Sequence, residues 1–197
     1  METAALPDSQ SPANPAPAAA EPVGLLALLR EEYRVNGPLL RPGFQTMALY
    51  RIAVWSRQLH PVLGWPVRLL CRIGNVWCRN VYGIELHPTA KIGRRLRIPH
   101  QGGIVIHYAA TLGDDCLIEH NATIGGTNRG SESDAPTLGN NVAVAVGAAV
   151  LGKIRVGDGA RIGPNCVVMM NVPPGAIVCV PPPRLIMPPK PRNSHEH

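Results

Sequence analysis

Residues 138–168 read LGNNVAVAVGAAVLGKIRVGDGARIGPNCVV, and every sixth residue of this stretch is a β-capable aliphatic one. These positions are Leu138, Val144, Val150, Val156, Ile162 and Val168. An earlier run has the same spacing at Ile106, Leu112, Ile118 and Ile124. A period of six is neither the 3.6 of an amphipathic helix nor the alternation of a half-buried strand. It is typical of hexapeptide repeats, in which every six residues form one short strand and one tight corner.

Three hexads close one triangular coil of about eighteen residues, and stacked coils bury the aliphatic positions in one core. The predicted fold is therefore mainly β, a left-handed parallel β-helix with a short α-helical N-terminal region. The left hand is the usual one for such repeats, against the general rule for parallel crossovers. A β-sandwich is disfavoured, because sandwiches repeat at roughly 8–12 residues with alternating faces. We interpret the following glycines as turns at a φ that other residues resist: Gly113, Gly125, Gly139, Gly157 and Gly163.

Composition divides the 197 residues into four segments. Residues 1–22, mostly Ala, Pro and Ser, predict a disordered leader, and residues 187–197 a flexible tail. Residues 23–82 predict helices, and residues 83–186 the β-helix. No apolar run is long enough for a transmembrane span, and the N-terminus lacks the pattern of a signal peptide. The scattered cysteines contain no CxxC pair, so we expect a cytoplasmic protein without disulfides or a metal site.

The helical segment holds most of the positive charge. Residues 23–82 contain eight arginines against Glu31 and Glu32, a net +6 that equals the charge of the whole chain. One interpretation is a solvated basic face on helices packed against the β-helix and a neighbouring subunit. The other is peripheral contact with anionic lipid at the inner membrane face. Nucleic acid is disfavoured, because no binding motif is present and aromatic residues are few.

In the third helix, the residues expected to form the core face are Val67, Leu70, Gly74, Trp77 and Val81.

The hexad spacing is broken in two places. Eight residues instead of six separate Ile98 from Ile106, and His100 lies in this break, followed by two glycines. His100 is therefore either a protruding general base or a polar residue at a solvent corner. Glu85, fifteen residues earlier, either stacks near the imidazole or is a plain surface residue. The second break, residues 126–136, must leave the coil as a loop, where binding residues concentrate.

Three ordered segments resemble serine acetyltransferases: residues 83–94 (GIELHPTAKIGR), 123–127 (TIGGT) and 172–176 (VPPGA). The resemblance covers about residues 83–186, roughly half of the chain. It implies an O-acetyltransferase that uses acetyl-CoA as co-substrate and needs no metal. It places the family's catalytic histidine at His100 and that residue's carboxylate partner at Glu85.

The resemblance also implies a CoA groove between coils of adjacent subunits, and so a homotrimer or a multiple of it. The implied CoA-binding positions are Gly126, Thr127, Val146, Gly147, Ala148, Arg161 and Pro164.

The acceptor half of the site departs from the family pattern. The Arg-His pair that holds the serine carboxylate is replaced by Asp134 and Ala135, and the aspartate before the catalytic histidine by Pro99. We therefore expect L-serine to bind poorly. Asp134 is predicted to accept hydrogen bonds from acceptor hydroxyls, and Arg129 to replace the missing arginine if serine does bind.

Residues 40–44 (LRPGF) and 49–53 (LYRIA) are similar to the helical leader of acetyltransferases from exopolysaccharide and colanic-acid-type gene clusters. The predicted function is acetyl transfer to a sugar hydroxyl of a cell-surface polysaccharide or its lipid-linked precursor. Two alternatives stay open. One is an L-serine O-acetyltransferase of cysteine biosynthesis, and the other is a non-catalytic β-helix scaffold.

Overall fold

The structure is a computed structural model that describes residues 23–127 and 134–184. Within these residues, three helices are followed by thirteen short strands. The predicted disordered leader and flexible tail both lie outside the described residues.

The helices begin and end at proline and glycine signals. Helix α1 spans Leu25–Asn36 and ends at Gly37, whose φ of 86° only glycine adopts easily. Helices α2 (Pro42–Trp55) and α3 (Pro61–Trp77) each begin with proline, whose missing N–H costs nothing in the first turn. Helix α3 continues as a single π turn, Cys78–Tyr82.

The strands are two or three residues long, and every pairing between them is parallel. They are β1 Ile84–Leu86, β2 Lys91–Ile92, β3 Ile104–Ile106, β4 Thr111–Leu112, β5 Leu117–Ile118, β6 Thr123–Gly125, β7 Thr137–Leu138, β8 Ala143–Val144, β9 Ala149–Leu151, β10 Arg155–Val156, β11 Arg161–Ile162, β12 Val167–Val168 and β13 Ile177–Val178. The first sheet has the order β1-β3-β6-β9-β12, the second β10-β7-β4-β2 and the third β13-β11-β8-β5. The chain visits the three sheets in turn, so the predicted three-sided parallel β-helix is confirmed. This pairing is compatible with either hand, and the left hand stays a prediction.

The aliphatic positions of the hexads form the core as predicted. All ten are at most 3% exposed. Leu138 pairs with Val156, eighteen residues later, which is one regular coil. The two breaks also lie where predicted. Leu86 pairs with Ile106 across a coil of twenty residues, and β6 pairs with β9 across the loop.

A second inward position, two residues before each aliphatic one, did not emerge from the sequence pattern. It holds mostly small residues, each at most 9% exposed: Ala110, Cys116, Ala122, Val142, Ala148, Ile154, Ala160 and Cys166. Burial raises the pKa of the Cys116 thiol to about 11. This cysteine therefore acts as a small apolar filler and not as a nucleophile.

The interpretation of the glycines as special turns is wrong. None of the five that follow aliphatic positions has a positive φ. A Cβ at Gly113 would instead lie 2.5 Å from the carbonyl oxygen of Gly139 in the next coil. Close approach of successive coils thus accounts for Gly113, Gly139, Gly157 and Gly163, whereas a Cβ at Gly125 would make only ordinary contacts. The left-handed corners are occupied instead by residues such as Asp115 and Asn141, with φ of 58° and 54°.

The predicted core face of the third helix is wrong at its large residues. Leu70, Trp77 and Val81 are 68%, 58% and 51% exposed. The residues that α3 and its π turn bury are small and lie seven apart: Gly64, Cys71 and Cys78. A Cβ at Gly74 would stand 2.8 Å from the Leu49 side chain, so α3 packs closely on α2.

A buried ion pair joins the helices to the first coil. Nε and Nη2 of Arg51 on α2 donate to Oε1 of Glu32 on α1, at 2.9 and 2.8 Å. Arg51 also donates to the carbonyl oxygens of Ile92 and Gly93, at 3.0 and 2.5 Å. Ile92 belongs to β2, the edge strand of the second sheet, so the arginine satisfies acceptors that no neighbouring strand reaches.

Two further side chains complete this cap. The Tyr50 hydroxyl donates to the Ala90 carbonyl at 2.8 Å and accepts from the Ile92 N–H at 3.1 Å. The Asn36 side chain accepts from the Ile98 N–H at 2.8 Å. The helices thus take the place of a missing coil above the first one.

We predict that Glu32→Gln lowers the free energy of unfolding by about 3–5 kcal/mol, because it leaves the buried Arg51 cation without its counter-charge. The measurement is urea unfolding followed by circular dichroism, at one fixed protein concentration.

Glu31→Gln is the matched control. Glu31 is the adjacent residue on α1 and pairs with Arg94 at the surface. Losing that pair should cost about 1 kcal/mol or less. Equal losses in the two variants would show that the buried pair does not hold the cap together.

Candidate active site

His100 occupies the corner between the third and first sheets, in the eight-residue connection from Ile98 to Ile106. The side chain is exposed. Gly102 and Gly103 have φ of 105° and 64°, so the connection turns in a way that other residues resist. The break in the hexad spacing is therefore an irregular corner of the coil, and an exposed side chain here fits both sequence interpretations of His100. The role of His100 as general base stays a prediction.

The side chain that the structure places against His100 is His120, one coil below. The ring centroids are 5.7 Å apart, and the rings are perpendicular at 89°. The buried Nδ1 of His120 has no hydrogen-bond partner among the described residues. The hexad pattern alone does not identify His120 as a site residue. Its spacing of twenty residues from His100, the length of the first coil, was the signal that could have paired them.

Glu85 lies on β1 and stacks on Val105, not on His100. The reason is the coil length: with twenty residues in the first coil, the residue fifteen positions after Glu85 is still at the preceding corner. In the part of the chain that the structure describes, no hydrogen bond or ion pair joins Glu85 to His100. The assignment of Glu85 as the catalytic partner stays a prediction.

Four of the predicted CoA-binding residues share the corner of His100. Val146, Gly147 and Ala148 connect β8 to β9, and Pro164 lies in the connection from β11 to β12. The Gly147 N–H donates to the His120 carbonyl at 3.1 Å. The corner of residues 146–148 therefore lies one coil below His120. Arg161 lies on β11 in the third sheet and is exposed.

The other predicted site residues lie at the corner between the first and second sheets. Gly126 and Thr127 follow β6, and Asp134 and Ala135 are at the returning end of the loop. A Cβ at Gly126 would stand 2.7 Å from the Asp134 carbonyl oxygen, so the two ends of the loop are in close contact. Arg129 lies outside the described residues. Within one chain, the predicted residues of the site are therefore divided between two corners, each of which carries some of the predicted CoA-binding residues.

A cavity of about 210 Å³ lies between His100 and the start of α2. Its lining includes Arg41, His100 and Gln101. The close approach depends on Gly43, where a Cβ would collide with the Ile98 carbonyl oxygen. The sequence pattern gives Arg41 a place in the basic helical segment and in the leader motif of residues 40–44, but no role in the site. The structure places Arg41 in the lining of the same cavity as His100.

A larger groove of about 500 Å³ separates α3 from the first coil, and Glu85 and His87 lie in its wall. Burial lowers the pKa of His87, and the nearby Arg57 cation lowers it further. His87 should therefore be neutral at pH 7. Among residues 23–127 and 134–184, no cluster of three His, Cys, Asp or Glu side chains could hold a metal ion.

The chain is similar to bacterial proteins named serine acetyltransferase, although no family model matches it. It is 43% identical over 138 residues to the protein of Helicobacter pylori strain J99, covering 70% of this chain and 77% of that protein. It is 42% identical over 149 residues to the protein of Synechococcus elongatus, covering 75% of this chain and 58% of that relative's length.

Solved serine acetyltransferases have the same architecture. Soybean serine acetyltransferase complexed with serine is 29% identical with a TM-score of 0.65, over 82% of this chain and 68% of that one. Isoform 3 from Entamoeba histolytica, in complex with cysteine, is 25% identical with a TM-score of 0.67, over 84% of this chain and 62% of that one.

These relatives confirm the prediction of an acyltransferase and correct the predicted acceptor. The prediction of a saccharide acceptor is wrong, because homologues at 42–43% identity are named for serine. That prediction rested on the residues Pro99, Asp134 and Ala135 at family positions and on the resemblance of residues 40–44 and 49–53 to a helical leader, and it gave too little weight to the rest of the chain. With 43% identity over 77% of the Helicobacter relative's length, the chain belongs to the serine acetyltransferase family.

Proposed function

We propose that this chain transfers the acetyl group of acetyl-CoA to the hydroxyl of L-serine, giving O-acetyl-L-serine and CoA for cysteine biosynthesis. Family membership supports the reaction. The observation that carries the proposal is the exposed His100, held at the irregular corner beside His120 and next to a cavity.

In the proposed mechanism, a ring nitrogen of His100 accepts the proton of the serine hydroxyl as the oxygen attacks the thioester carbonyl. The tetrahedral intermediate then collapses, and the C–S bond breaks. The imidazolium returns its proton to the departing CoA sulfur, so the protein is unchanged at the end of the cycle. Backbone N–H groups at the loop end of β6, near Gly126 and Thr127, are proposed to stabilise the oxyanion.

Arg41 is proposed to bind the serine carboxylate. An amino acid substrate needs a fixed cation for this group, and arginine suits a carboxylate because it donates two parallel hydrogen bonds. The family's arginine position in the loop is Asp134 here, which cannot serve. Arg41 lines the cavity with His100 and so offers a cation beside the proposed base. The substrate-binding roles of Asp134 and Arg129 stay predictions.

A homotrimer, or a multiple of it, is part of the proposal. His100 with Val146–Ala148 lies at one corner of the triangular coil, and Gly126 with Thr127 at another. A neighbouring subunit could bring the second corner against the first and build the acetyl-CoA groove between chains. Similarity to the solved serine acetyltransferases supports this assembly and the left hand of the coil. The interpretation that the arginine-rich helices contact the inner membrane face stays a prediction, and the proposed acetyl transfer does not depend on it.

We predict that His100→Ala lowers kcat by about 10²–10⁴-fold, the usual contribution of a general base, with little change in acetyl-CoA affinity. Purified enzyme would be assayed by thiol release and by detection of O-acetyl-L-serine. His60→Ala, at the exposed start of α3, is the matched control. Wild-type turnover in His100→Ala would refute the base assignment, and no saturable serine acetylation by the wild type would refute the proposed function.

Arg41→Gln should raise KM for L-serine by about tenfold or more, since a charge-assisted hydrogen bond contributes about 1.5–3 kcal/mol. The KM for acetyl-CoA and the kcat at saturating serine should change little. Arg34→Gln removes an exposed arginine of α1 and should leave all three values near wild type. An unchanged serine KM in Arg41→Gln would mean that another group binds the carboxylate.

Multi-angle light scattering of the purified protein should give a mass of three chains or a multiple of three. The physical reason is that neither corner alone carries the full set of proposed site residues. A monomer that retains full activity at micromolar concentration would contradict a site built between subunits.

A further inference from the structure

The outer face of α3, defined as the solvent side of Pro61–Trp77 and its π turn, is apolar along its whole length. Nine large apolar side chains on it are 42–73% exposed. They are Val62, Leu63, Trp65, Leu69, Leu70, Ile73, Val76, Trp77 and Val81. A helix that packs on a globular domain normally turns charged and polar residues to solvent. An exposed apolar surface of this size marks a site of interaction.

Basic residues border this face. The 52 residues 33–84 contain seven arginines and no aspartate or glutamate. Arg51 is neutralised in the buried pair with Glu32. Four others, Arg57, Arg68, Arg72 and Arg79, line the groove of about 500 Å³ between α3 and the first coil.

We propose that the outer face of α3 docks on an anionic lipid bilayer. The helix lies in the plane of the interface, with its apolar side chains at the boundary of headgroups and acyl chains. Trp65 and Trp77 suit this depth, because their rings are amphipathic. Lipid phosphates lie against the arginines of the groove, each of which contributes electrostatic attraction to the anionic surface. Within the described residues no helix is long and apolar enough to cross a membrane, so the helix rests on the surface.

Charge favours a bilayer over a second copy of this chain. Two copies joined symmetrically through this face would bring four groove arginines of one copy against those of the other, and Glu85 is the single acidic residue in that groove lining. The chain's own termini are also poor occupants. Residues 1–22 carry three acids and no base, but their only large apolar side chains are Met1 and Leu6, too few to cover nine exposed ones. Residues 185–197 have a net charge of +1, which like-charge repulsion disfavours here.

The test is flotation of the full-length protein with vesicles of phosphatidylcholine alone or with about one third phosphatidylglycerol. We expect binding to the anionic vesicles, weak binding to the neutral ones, and release at high salt. Arg72→Glu combined with Arg79→Glu should lower the partition coefficient at least tenfold, since each basic residue near such a surface contributes about a factor of five. Leu70→Glu combined with Ile73→Glu should abolish the blue shift of tryptophan fluorescence on binding.

Arg155→Glu is the matched control for charge, because Arg155 is exposed on β10, far from α3 in the coil order. It should float like the wild type. No binding to anionic vesicles, or equal loss in the control, would overturn the proposal. A smaller oligomer for Leu70→Glu with Ile73→Glu in lipid-free sedimentation would overturn it in favour of a second copy. None of these measurements depends on serine acetylation.

Discussion

The buried ion pair between Glu32 and Arg51 closes the end of a fold that cannot close itself. A stack of parallel coils leaves unpaired N–H and C=O groups at its first turn and exposes its apolar interior there. Arg51 covers this edge by donating to two backbone carbonyls of the first coil, and Glu32 supplies the charge that makes a buried arginine tolerable. Without that partner, the buried cation would be uncompensated, and the contact between the helices and the first coil would be weakened.

The same cap positions the candidate site. Asn36 holds the Ile98 N–H, and the missing side chain of Gly43 lets α2 approach the Ile98 carbonyl. Ile98 is the last regular residue before the corner that carries His100. The geometry between Arg41 and His100 is therefore fixed by contacts on both sides of one residue. Removing the cap would loosen the cavity even if every coil below stayed intact.

The sequence could predict the core positions of the coil, because local spacing determines them. It could not predict the contacts between residues that are distant in the chain. Each aliphatic position, such as Val144, repeats one local geometry, so the pattern alone identifies it. The face of α3 could not be predicted from size, because close packing selected Cys71 and left Leu70 outside. Glu85 was expected near His100 from a coil of eighteen, but two extra residues move its stacking partner to Val105. Arg41 and His100 line one cavity although they belong to segments that no shared sequence repeat relates.

The cavity beside His100 is lined by two segments that are far apart in the sequence, residues 41–43 and 98–101. The coil supplies the histidine, and the residue immediately before α2 supplies the arginine, 59 residues earlier. An insertion keeps later corners in register only where it protrudes, as do the extra residues between Ile98 and Ile106 and the loop after β6. The leader is constrained where it caps the first coil, so under the proposed role of Arg41, substitutions at the start of α2 would alter how the acceptor is held while the residues of the coil stay the same. Exchange of this leader between relatives offers a direct route to new acceptors on an unchanged catalytic coil.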